Sequence, residues 1–190
     1  MGLNIPLTNL DVTSTLDVSI DGADDVDLNL NLIKGAGGSL LRDKMVYLPV
    51  VSHRFVCIVD ESKLSRSFGS AKGAPLPIEV TPFSCEHTRA LIERLPSLRK
   101  SSPKAVLRRG SISNTLADGP DLAVTDNGNH IVDVFLNGVL EDASWVAREL
   151  LETPGVLEHG LFIGVTSALL VATKEGVRLA GDGGEKPWWG

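Results

Sequence analysis

Apolar positions along this chain come in short runs broken by acidic or glycine-rich turns, and the runs change character near residue 75. Leu16-Asp-Val-Ser-Ile20 alternates, which predicts a short strand running into an acidic turn. Gly37-Gly38-Ser39 predicts the opening of a helix from Leu40 to about Leu48, and Pro49, which cannot continue a helix, helps end it. Phe55-Val-Cys-Ile-Val59 is continuously apolar and β-rich, the pattern of a strand covered on both faces. Strand, glycine loop, helix and strand in that order is the grammar of a βαβ unit in a parallel sheet.

Ser65 to Ala74 is rich in Ser, Gly and Lys and reads as a mobile connection. Beyond it the pattern predicts a strand at Leu76–Val80, a helix at Cys85–Leu95 and a strand at Ala105–Arg109. Leu122–Thr125 and His130–Phe135 flank Asp126-Asn-Gly-Asn129, a hairpin signal because Asn-Gly tolerates positive φ. A helix from Glu141 to Glu152 is stopped by Pro154-Gly155. Late strands follow at Gly160–Ile163 and Ala168–Ala172, with a turn at Lys174–Gly176. The expected fold class is α/β: a Rossmann-like parallel sheet, truncated, with a small α+β lobe inserted. The core takes residues 1–74 and 163–190, and the lobe takes 75–162. There is no internal repeat or low-complexity tract. The tail Lys186-Pro-Trp-Trp189 either lies exposed or packs on the body.

Composition narrows the function classes. A chain of 190 residues makes one large domain or two small lobes on a shared core. The 43% hydrophobic and 22% charged fractions are those of a globular protein. A net charge of −6 argues against a nucleic-acid surface, though not against a local phosphate pocket. Cys57 and Cys85 are too few for a disulfide framework and fit a reducing compartment, cytoplasm or an organelle stroma or matrix. No apolar run approaches the ~18 residues of a membrane span, and the N-terminus shows neither a basic signal region nor an Arg/Ser-rich transit pattern.

The chemistry concentrates between Asp21 and Lys63. Asp21-Gly22-Ala23-Asp24-Asp25 packs three carboxylates into one turn, and Lys34-Gly35-Ala36-Gly37-Gly38 follows with a lysine at the mouth of a glycine loop. A carboxylate can take a proton from carbon beside a carbonyl, while a lysine and backbone amides hold the oxyanion that forms. Asp43 lies nine residues after Lys34, in the first turns of the expected helix, where its carboxylate can project back toward the loop. Lys63 follows a buried strand at its C-terminal end, where ligands of open α/β sheets gather. The same residues also suit a solvated acidic turn, a close-packed glycine turn and a solvated lysine. Asp21, Asp24, Asp25 and Asp27 lack the alternating ligands and distal glutamate of a calcium loop. The glycine loop has neither Walker nor dinucleotide-binding spacing. His53, His87, His130 and His159 are scattered without a zinc pattern, and no Gly-x-Ser-x-Gly elbow occurs.

Four segments together carry a resemblance: Ile20-Asp-Gly-Ala-Asp-Asp25, Leu32-Ile-Lys-Gly-Ala-Gly-Gly38, Leu41-Arg-Asp-Lys44 and Ile58-Val-Asp-Glu-Ser-Lys63. Their order and spacing resemble ribose-5-phosphate isomerase type A, and the likeness runs from Ile5 to Trp189. It implies interconversion of D-ribose 5-phosphate and D-ribulose 5-phosphate through an enediol, with no metal and no cofactor. It implies that Asp21 assists ring opening and that Asp24 and Lys34 handle the hydroxyl and oxyanion protons. The turn Gly22-Ala23 and the loop Gly35, Ala36, Gly37 and Gly38 would bind substrate, Lys63 would hold the phosphate, and Asp43 would shuttle the proton. Asp43 stands where the family usually has glutamate, and its side chain is shorter by about 1.5 Å. Asp25 likewise replaces a glutamate. The resemblance also implies about 60 further residues ahead of Met1, including a phosphate-cradling loop. The expectation is therefore a fragment, a truncated gene model, or a subunit whose sheet is completed by another chain or a second copy. A catalytically reduced accessory subunit is the alternative function. A neighbouring sugar-phosphate isomerase/deaminase or CoA-transferase branch ranks below both.

Overall fold

The computed structural model describes residues 4–48, 50–70, 74–113, 119–181 and 186–189. Pro49 and parts of the 65–74 connection and of the tail lie outside these. Three sheets organise the described chain. The first holds β1 (Ser19–Asp21), β4 (Phe55–Asp60), β10 (Ala168–Thr173) and β11 (Gly176–Gly181), side by side in that order. The first three strands are parallel, and β11 returns antiparallel from the 174–176 turn. The second is a small antiparallel sheet of β2 (Asp25–Val26), β3 (Leu32–Ile33) and β9 (Leu161–Phe162). The third is antiparallel throughout, in the order β6 (Lys104–Leu107), β7 (His130–Phe135), β5 (Leu76–Val80) and β8 (Val156–His159). Helix α1 (Leu41–Tyr47) follows the glycine loop, while α2 (Cys85–Ile92) and α3 (Ala143–Leu151) pack on the third sheet. This is a mixed α/β fold with a parallel core. No helix among the described residues is long and apolar enough to cross a membrane.

Two apolar clusters underlie the first and third sheets, and the small second sheet contributes to both. Phe55, Cys57, Val59, Leu169 and Val171 point inward from β4 and β10 and meet Tyr47 of α1 and Phe162 of β9. Ile78, Val80, Val132 and Val134 meet Ile92 of α2 and Val146 and Leu150 of α3. Asp142 caps α3 by accepting from the Trp145 amide at 2.9 Å, one of the donors a helix start leaves open.

Several expectations change. The strand at 55–59 is covered on one face only: Phe55, Cys57 and Val59 are buried, while Ile58 is exposed. Ile20 and Val177, 62% and 71% exposed, extend that outer apolar face with Val18 and Leu179. A continuous apolar run shows that both faces are apolar, and not that both are covered. Leu122–Thr125 is not a strand, because β5 and β6 already occupy both edges of β7. The Asp126–Asn129 turn does form, with Gly128 at φ 79°. The described part of 65–74 is anchored rather than loose. Ser65 is buried and donates to Asp25 at 2.6 Å, and Phe68 sits in the apolar cluster with Ile78 and Val132. The tail packs on the body: the Trp189 indole donates to the Ser65 carbonyl at 3.0 Å, and Arg178 lies 3.6 Å over the Trp188 ring.

Candidate active site

The C-terminal ends of β1 and β4 open onto a cavity of about 330 Å³. Asp21, Gly22, Ala23, Asp24, Lys34, Gly35, Ala36, Gly37, Asp43 and Lys63 all line it, together with Ser39. Gly38, between Gly37 and Ser39, does not line it. Residues from four separate segments thus meet at the strand ends where ligands of parallel sheets bind.

Asp21 is the last residue of β1 and bonds at both carboxylate oxygens. Its Oδ1 accepts from the Gly22 amide at 2.7 Å. Its Oδ2 accepts from Lys34 Nζ at 2.8 Å and from the Tyr47 hydroxyl at 2.5 Å. Lys34 is buried and also donates to the Gly22 carbonyl at 2.5 Å. An ammonium has three donors, so these bonds leave one N–H for the cavity. Asp24 accepts from the Ala36 amide at 2.9 Å, which ties the acidic turn to the glycine loop. The other two carboxylates of the turn point away. Asp25 holds Ser65, and Asp27 accepts from the Asn29 and Asn31 amides at 2.8 and 2.9 Å. Among the described residues no three His, Cys, Asp or Glu side chains come together as a metal cage.

The glycine loop turns tightly, with Gly35 at φ 103° and Gly38 at φ 90°. A Cβ on Gly38 would lie 2.3 Å from the Ile112 side chain, so only glycine fits there. The loop is latched from the third sheet. Arg108, fully buried, pairs in bidentate fashion with Asp133 at 2.8 and 2.6 Å. Its remaining nitrogen donates to the carbonyls of Ala36 at 2.9 Å and Ile112 at 2.6 Å. Helix α1 is latched as well: Arg42 donates to Asn127 and to the Asp126 carbonyl, both at 3.0 Å. The turn itself closes over buried Glu79, which accepts from Thr125, Asn127 and Asn129.

Asp21 and Asp43, two of the three carboxylates lining the cavity, are driven apart electrostatically. Burial pushes Asp21 up, but the hydrogen bonds from Lys34 and Tyr47 and the lysine charge outweigh it, so its carboxyl lies below the ordinary range. Burial dominates at Asp43 and raises it, although Ser39, donating at 2.6 Å, and the Lys34 charge pull the other way. Such a split assigns one carboxylate to permanent charge and the other to proton exchange. On the far side of α1, Lys44 donates to Glu158 and to the His159 carbonyl, each at 2.7 Å, and meets His159 Nδ1 at 3.0 Å. Burial and the neighbouring Lys44 lower His159 to about 3, which keeps it neutral.

Comparison with known proteins settles the family. The profile of ribose 5-phosphate isomerase A (phosphoriboisomerase A) matches residues 1–176. The chain belongs to the ribose 5-phosphate isomerase A family. One family relative, the probable ribose-5-phosphate isomerase 1 of Arabidopsis thaliana, is 47% identical over 177 residues, covering 93% of this chain and 64% of its own. The chain therefore spans less than two thirds of the length of that relative. Among solved members, the ribose 5-phosphate isomerase from Plasmodium falciparum superposes with a TM-score of 0.83 at 33% identity, over 95% of this chain and 72% of its own. A D-ribose-5-phosphate isomerase in complex with phospho-erythronic acid gives a TM-score of 0.75 at 37% identity, over 94% and 70% of the two chains.

Tyr47, Ser39 and the Arg108–Asp133 pair were not found from the sequence. Tyr47 sits in an apolar helix face and reads as core. Arg108 and Asp133 lie 25 positions apart with no motif joining them.

Proposed function

We propose that this chain carries its family's aldose–ketose isomerisation, interconverting D-ribose 5-phosphate and D-ribulose 5-phosphate without metal or cofactor. One observation carries the reading: a charge-fixed Asp21–Lys34 pair and a proton-exchanging Asp43 line the same cavity. Asp43 takes the proton from C2 of the open aldose, and the electron pair moves through the C1–C2 bond onto O1. Lys34 and the amides of the Gly35–Gly38 loop stabilise that oxyanion. Asp24 passes the hydroxyl proton between O2 and O1, and Asp43 returns its proton to C1. Asp21 assists ring opening, the Gly22-Ala23 turn contacts the sugar, and Lys63, in the turn after β4, holds the phosphate. The phospho-erythronic acid bound to a family member supports a phosphorylated acyclic ligand of this size.

The apolar outer face of the first sheet supports a second proposal, that a second copy or a partner chain covers it. Cytoplasm, or an organelle stroma or matrix, suits the free thiols.

Turnover of ribose 5-phosphate by the purified chain, with co-purifying protein checked, tests the reading. Lys34→Ala should lower kcat by at least about 10²-fold, the usual cost of losing an oxyanion donor. Unchanged kcat would remove Lys34 from the chemistry.

A further inference from the structure

The aromatic side chain at the back of the cavity does more than fill the core. Tyr47 is the only tyrosine of the chain. Its ring stacks on Phe55 at 4.4 Å and 9° and tilts against Phe162 at 6.1 Å, so its direction is fixed by packing. That packing needs no hydroxyl, and phenylalanine would supply it equally. The hydroxyl is nevertheless aimed at Asp21 Oδ2, the oxygen that also accepts from Lys34. Without Tyr47 the carboxylate would keep only Lys34 at Oδ2 and the adjacent Gly22 amide at Oδ1, on a terminal torsion that is broad and soft. Three donors, from Tyr47, Lys34 and Gly22, leave it a single orientation.

We infer that Tyr47 is a positioning residue: its hydroxyl locks the Asp21 carboxylate against Lys34 and so aims the remaining ammonium N–H into the cavity. Tyr47 does not line the cavity and acts only through Asp21. The catalytic consequence rests on the isomerase reading above, whereas the lock itself does not. Asp21 is faced by Lys34 from the end of β3, by Tyr47 and Asp43 from α1, and by Cys57 from β4. Burial pushes the Cys57 thiol up to about 12, and burial together with Asp21 raises Tyr47 further, so both stay protonated at neutral pH. Lys34 and Tyr47 are therefore the two side chains that hold Asp21 ionised.

The test reads Asp21 directly. The carboxyl carbon of Asp21 is titrated by NMR in the wild-type chain, in Tyr47→Phe, and in chain grown with difluorotyrosine, a stronger donor at the single tyrosine. Losing a hydrogen bond to a charged group should move the Asp21 midpoint up by about one pH unit in Tyr47→Phe. The fluorinated chain should move it the opposite way. With ribose 5-phosphate, Tyr47→Phe should lower kcat by about tenfold with KM nearly unchanged. An Asp21 midpoint equal to wild type in folded Tyr47→Phe overturns the inference. So does an unmoved midpoint in the fluorinated chain, which covers the case in which Tyr47→Phe does not fold. A wild-type chain that binds but does not turn over ribose 5-phosphate defeats the isomerase reading alone, because the midpoints are read without substrate.

Discussion

Replacing Asp133 by asparagine strands the buried Arg108 guanidinium beside the third sheet. Arg108 has no exposed surface, and its two short bonds to Asp133 supply all of its charge compensation in the described structure. Removing one partner of such a pair costs about 3–5 kcal/mol. With a urea dependence of about 2 kcal/mol per molar, the unfolding midpoint should fall by about 2 M. The paired change Arg108→Met with Asp133→Leu removes both charges, and apolar replacement of a buried pair is often neutral. Most of the lost midpoint should return. The glycine loop should not recover with it, because methionine donates nothing to the Ala36 and Ile112 carbonyls that Arg108 holds. A loop displaced by about 1 Å can cost on the order of 10²-fold in rate. The double variant is thus expected to be stable and poorly active, by urea titration and by ribose 5-phosphate turnover. Full turnover from it would refute the latch. A midpoint as low as that of Asp133→Asn would refute the electrostatic account of the loss.

Lys63→Ala should raise KM for ribose 5-phosphate by about 10- to 100-fold with kcat largely kept, and should leave unphosphorylated ribose unaffected; an equal effect on both sugars would remove the phosphate contact. Asp43→Glu should raise kcat, since the longer side chain restores the reach usual in the family; a fall would mean that the 2.6 Å contact with Ser39 has adapted the site to aspartate. His159 gives a pH signature. Its folded value of about 3 lies below the ordinary histidine value, so its stability contribution is full above about pH 6.5 and drains as pH falls toward 3. Wild type should lose about 1.4 kcal/mol per pH unit relative to His159→Asn across that window; parallel urea curves at pH 7 and pH 5 would rule this out.

Much of the cavity was readable before any coordinates, because its residues lie in four short motifs at the turns of a βαβ unit. That grammar made Asp21, Asp24, Lys34, Asp43 and Lys63 candidates, the family resemblance chose the site reading over solvated turns, and all five line one cavity. What escaped depends on contacts distant in sequence. Strand β8 was not predicted, and its Glu158 and His159 are buried, with Lys44 reaching them from α1. The Leu122–Thr125 arm was misread because strand propensity carries no information on which edges of β7 are free. Tyr47 and Phe55 are indistinguishable from core residues until the hydroxyl is seen on Asp21.

The outer face of the first sheet also governs how this chain will respond to a hydrophobic dye. Ile20, Ile58, Val177 and Leu179 present apolar side chains to solvent beside a well-packed interior. An ANS-type dye should therefore fluoresce with the native chain, a response usually taken as the mark of a molten globule. Here the dye signal should coexist with ordered near-UV bands from Tyr47, stacked on Phe55, and from the packed Trp188 and Trp189. It should disappear when a ligand or a second chain covers the sheet, which makes the dye a direct titrant for that face.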